Sequence, residues 1–125
     1  MRLTSATTLR VSLLVGVHLL CVLWGVHVGV RGPSTAVGVL YSLSIAFVIV
    51  LTCVADAHVR SQTILPIFQF LMLFTWPVAV PVYLFWTRRW PGLLWAGLWM
   101  LTGWACYAIG AITIEVLRRA QLAAP

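Results

Sequence analysis

The chain has 125 residues, of which 62% are hydrophobic and only 8% charged, and its mean hydropathy is +1.05. Soluble domains carry about 25% charged residues, so a soluble globule is excluded. The formal net charge of +6 comes from eight arginines and no lysine. These arginines lie at the ends of apolar segments and form no patch, so they read as topology signals and headgroup anchors rather than a nucleic-acid surface.

Four apolar stretches reach the roughly 20 residues that a helix needs to cross a bilayer: 11–30, 36–54, 64–86 and 93–117. None shows the ten-residue alternation of a membrane barrel strand. The expected fold class is an all-α integral membrane protein: a single domain over 1–125, with four transmembrane helices in a small bundle. Three full spans, with the Pro-rich third segment re-entrant, is the alternative arrangement.

The first segment opens "MRLTSATTLRVSLLVGVHLLCVLWG", which has the positive start and apolar core of a signal peptide. Its core continues without a small-x-small cleavage pattern, so it reads as a retained helix. At about 100° per residue, His18, Cys21, Gly25 and Gly29 share one face, and "GVHVG" is a GxxxG step that admits a close helix neighbour. His18 lies near mid-membrane on that face. The sharper expectation for it is an axial ligand to a haem or a chlorophyll-type pigment through its neutral imidazole. The plainer expectation is a hydrogen bond to Ser42, Ser44 or a backbone carbonyl. A two-histidine haem lacks its second ligand, because His27 faces away and His58 sits in a loop.

The second segment aligns Gly38, Ser42, Ala46, Cys53 and Asp56 on one stripe. Asp56 and Arg60 follow at i,i+4 near its end, an expected interfacial charge pair. The three cysteines, Cys21, Cys53 and Cys106, form no CxxC pair and read as small helix-contact residues.

The third segment, "TWPVAVPVYLFWTRRWPG", carries Pro77 and Pro81 inside its apolar run. Neither can donate a helical hydrogen bond, so the carbonyls of Leu73 and Pro77 lose their donors and a kink at Pro77/Pro81 is expected. Broken helices line binding sites in transporters. This one offers only Gln69, Thr75 and Tyr83 as polar company, which favours a structural bend. The fourth segment lines up Gly103, Cys106, Gly110 and Thr113, then ends in Glu115 with Arg118 and Arg119 three and four residues on. Of the seven tryptophans, Trp24, Trp86, Trp90, Trp95 and Trp99 read as an aromatic belt. Trp76 and Trp104 belong deeper and need a partner for the indole N–H, such as another helix, a subunit or a bound group.

Four crossings put both termini on one side. Arg2, Arg10, Arg60, Arg118 and Arg119 then face Arg31, Arg88 and Arg89, which places the termini in the cytoplasm by the positive-inside bias. A bacterial inner or intracytoplasmic membrane is the expected location. No intramembrane acid, metal cluster or nucleophile–base pair points to an enzyme. Small multidrug exporters need a Glu in the first helix, and fluoride channels need an intramembrane Asn; this chain has neither. The small-residue seams and deep indoles instead suggest an accessory subunit packed against lipids, other transmembrane subunits or a second copy. A proton- or ion-coupled transporter and a single-histidine pigment or haem subunit are the alternatives.

Overall fold

The computed structural model describes residues 2–123, with side chains from residue 7 on. The side chain of Arg2, assigned above to a topology count, lies outside the described residues. Four helices follow one another: α1 (Arg2–Arg31), α2 (Thr35–Val59), α3 (Pro66–Arg88) and α4 (Trp90–Ala123). Each is long and apolar enough to cross a membrane.

The helix ends follow local chemistry. α1 stops at Gly32, whose φ of +80° lets its N–H reach back to the Val28 carbonyl at 2.8 Å. Pro33 cannot continue the helix. α2 ends at Arg60 and Ser61, where Gln62 N–H closes on the Ala57 carbonyl at 2.9 Å. Pro66 opens α3, where its missing N–H costs nothing. Inside α3 the backbone leaves helical geometry at Thr75 (φ −113°, ψ 21°), two residues before Pro77. The ring of Pro77 crowds the turn that precedes it, and Thr75 sits in that turn. The departure therefore falls two residues ahead of the first proline.

The path of the chain differs from four successive crossings. α2 runs antiparallel to α1, since Trp24 stacks on Tyr41 while Arg10 bonds Asp56. α4 runs parallel to α1. His18 meets Thr102, Gly25 meets Tyr107, and Gly29 meets Ile114. A parallel α4 must start at the end where α1 starts, and α3 delivers it there. Tyr83 Oη donates to the Cys53 carbonyl at 3.4 Å, and Arg88 bonds Asp56. The chain thus enters α3 from the Asp56 end and leaves it at the same end.

Three helices therefore run from end to end, and α3 carries no net progress along the bundle. The start of α1 and the end of α4 lie at opposite ends. This overturns the expected grouping of Arg118 and Arg119 with Arg10 and Arg60. Arg118 donates to the Gly29 carbonyl at 3.2 Å, at the Arg31 end, while Arg88 joins Arg10 and Arg60 at the other. α3 thus begins and ends at the same end of the bundle.

Packing has two parts. α1 and α4 meet along glycines: a Cβ on Gly25 would strike the Tyr107 carbonyl, and one on Gly110 would strike the Val22 carbonyl. Backbone approaches backbone there, as a small-residue seam allows. The buried side chains Val50, Cys53, Met72, Val80, Leu84 and Ala96 form a second core, where α3 packs on α2 and α4.

Candidate functional site

Between these two packed regions the helices stand apart. They leave a cavity of about 580 Å³, open on one side, whose wall is drawn from all four helices. Trp24, Trp76, Trp99 and Trp104 line it, with Tyr107, Pro77 and Val80. Trp76 and Pro77 reach the cavity because the departure at Thr75 turns this stretch of α3 inward. Trp24 is braced on both sides, stacked on Tyr41 with centroids 6.1 Å apart and edge-on to Tyr107 at 5.3 Å. The two deep indoles expected to face another helix or a bound group, Trp76 and Trp104, both sit on this wall. Trp104 remains 74% exposed, so it stands at the rim.

The polar groups of the wall are few. Thr52 is fully buried and donates to its own helix at the Val48 carbonyl, 2.8 Å away. Ser42, expected on a packing seam, lines the cavity. His18 is half-buried on the wall, with Nδ1 2.8 Å from the Leu14 carbonyl and Nε2 2.9 Å from Thr102 Oγ1. A carbonyl only accepts, so Nδ1 must carry a proton. In the neutral ring, Nε2 is then the acceptor. Thr102 Oγ1 also lies 2.9 Å from the Leu98 carbonyl and 3.1 Å from that of Trp99. The hydroxyl can swing to either carbonyl and release Nε2. An Nδ1–H fixed on a backbone carbonyl is also the arrangement that orients metal-ligating histidines. The expected hydrogen bond of His18 is present, with Thr102 and Leu14 as partners in place of Ser42 or Ser44. Thr102 was missed because nothing in the sequence sets α4 parallel to α1.

Around this cavity the seam residues fall into place. Gly25, Gly29, Gly103 and Gly110 are all used in the α1–α4 contact, and Gly103 faces Cys21. Cys106 is half-buried beside them, and a Cβ added at Gly38 would come into ordinary contact with the Trp24 ring. Pro81 is half-buried on α3. Among the described residues, no three His, Cys, Asp or Glu side chains gather as metal ligands.

The second constellation lies at the Asp56 end. Asp56 is only 4% exposed, and its Oδ1 accepts from Arg10 Nη1 at 2.8 Å and Arg88 Nη2 at 2.6 Å. The expected partner Arg60 is present, with Nε 3.3 Å from Oδ2. Asp56 is therefore buried and ties α1 and α3 to the end of α2 as well as pairing with Arg60. Neither Arg10 nor Arg88 was expected as a partner: the antiparallel packing of α1 on α2 brings Arg10 to Asp56, and the return path of α3 brings Arg88. At the opposite end Glu115 pairs within its own helix with Arg119 at 2.8 Å and Arg118 at 3.9 Å, as the spacing implied.

The chain matches no protein-family model, no curated protein and no solved structure. Its function is therefore read from these side chains and their placement.

Proposed function

We propose that the chain is a small integral membrane protein that holds one apolar molecule between its helices. The carrying observation is the cavity of about 580 Å³, walled by four indoles and with His18 among its few polar groups. Ligand pockets of this kind are mostly apolar, fall at roughly 300–1,000 Å³ and present a few fixed polar groups. The ligand is a lipid-like or flat ring molecule. It carries a hydroxyl that donates to His18 Nε2, or a ring-bound metal that Nε2 ligates. The haem or chlorophyll-type pigment is the metal-bearing form of this reading.

The accessory-subunit reading draws less on the glycines of α1 and α4, because these serve the α1–α4 contact inside the chain. The transporter reading has no polar path to draw on in so apolar a cavity. No enzymatic step is proposed. With α3 re-entrant, the arginines at the start of α1, Arg2 and Arg10, fall with Arg60, Arg88 and Arg89 on one side, against Arg31, Arg118 and Arg119. The positive-inside bias then favours a cytoplasmic N-terminus with the C-terminus across a bacterial inner-type membrane.

Extraction of the full chain in mild detergent, followed by mass spectrometry and visible spectroscopy of what is retained, tests the ligand reading. About one lipophile per chain is expected, with visible absorbance only if it is a pigment. Ser42→Phe, which fills the cavity wall, should release it, and His18→Leu should weaken its hold. No retained lipophile, or equal retention by Ser42→Phe, would overturn the reading.

A further inference from the structure

We infer that Arg10, Arg60 and Arg88 form a binding site for a phosphate-type oxyanion, supplied by an anionic phospholipid headgroup. Three guanidinium groups surround one carboxylate, which leaves two positive charges without a counter-charge. The only other acidic residue in the sequence, Glu115, is held at the opposite end of the bundle. No side chain of this chain can complete the neutralisation, so the missing anion comes from outside.

The geometry also leaves donors to offer. Each guanidinium carries five N–H groups, and Asp56 engages one from each of two arginines and lies against the Nε of the third. Arg88 Nε is buried with no hydrogen-bond partner, as is the carboxylate oxygen Asp56 Oδ2. The Arg10 and Arg60 side chains are 31% and 38% exposed, so their remaining donors are reachable. Planar guanidinium forks match phosphate oxygens two at a time. Asp56 fixes these forks in place and prevents them from spreading under mutual repulsion. The site sits where the first helix begins and the second ends, the depth of lipid headgroups for a chain that crosses a bilayer. Basic pockets between helices at that depth take anionic headgroups.

The test uses the full chain in nanodiscs and in detergent. Native mass spectrometry compares retention of phosphatidylglycerol with that of phosphatidylcholine after delipidation. Preferential retention of the anionic lipid is expected. Arg10→Gln and Arg60→Gln should each reduce that preference about five-fold, and Arg31→Gln at the far end should leave it intact. Arg60→Lys, which keeps the charge and loses the fork, should fall between. Arg60 is the most exposed of the three, so its variants stand if Arg10→Gln fails to fold. Inorganic phosphate added in a neutral detergent separates the sources. If it raises the melting temperature as much as phosphatidylglycerol does, the ligand is free phosphate and the lipid assignment falls. Equal retention of both lipids with no phosphate effect would overturn the site. So would a loss in Arg31→Gln that matches Arg60→Gln.

Discussion

Asp56 and Glu115 stand at opposite ends of the bundle with the same local signature, an acid four residues ahead of an arginine. Asp56 is bound by arginines from α1, from α3 and from the turn that caps α2, and its side chain is 6% exposed. Glu115 is paired within α4 alone and its side chain is 47% exposed. An i,i+4 pair is a statement about one helix, and it says nothing about what else arrives. What arrives at Asp56 is decided by the path of the chain. Because α3 returns to the end it came from, the Arg88 side chain closes on Asp56, and the same return leaves Glu115 with only its own helix.

The contrast can be broken most completely through the path itself. Cysteines placed at Ser61 and at Leu122, in a background with the native cysteines replaced, should label from opposite sides of sealed vesicles. Labelling of both from one side would restore four crossings and dissolve the difference between the ends. Next in size is Asp56→Ala, which removes the buried carboxylate shared by the partly exposed Arg10, Arg60 and Arg88. Removing one partner of such a network costs about 3–5 kcal/mol, read as a lower unfolding midpoint in micelles. An unchanged midpoint would make Asp56 no different from Glu115. Arg88→Gln should cost less, about 1.5–3 kcal/mol for one lost bond to a charged group. Its effect should be local: faster hydrogen exchange in 76–88, with the glycine contacts of α1 and α4 undisturbed. Uniform loss of protection would mean that Arg88 does not act as the tie of α3.

The same contrast marks how far the sequence can be read. Helices were legible because apolar length and Gly-Pro punctuation are local. The stretch 36–54 lies within α2 and 64–86 overlaps α3 to within two residues at each end. The faces were legible too, since a 3.6-residue period fixes which residues share a stripe; Gly25 and Gly110 do lie on the seam between two helices. Direction was not legible. A short link after α3 fits a helix that has crossed and one that has come back, and residue spacing cannot separate them. The polar break was visible at Pro77 and Pro81, but its use depends on which neighbours Trp76 and Pro77 face. Thr102 and Arg88 were missed for the same reason, because each owes its partner to direction rather than to pattern.

Glu115→Gln is the smallest expected effect and sharpens the comparison from its weak side. The Arg119 bond is short at 2.8 Å, yet Arg119 is 77% exposed and solvent competes for every atom of the pair. Exposed pairs of this kind lose most of their Coulomb gain to water and salt. The unfolding midpoint in micelles should be unchanged, with or without added salt. In a bilayer, Arg118 should keep its bond to the Gly29 carbonyl, because that contact does not involve the carboxylate. A clear destabilisation confined to the bilayer would mean that something covers this end in the membrane. The accessory-subunit reading would then regain a surface, at the face of α4 that the bundle itself leaves open.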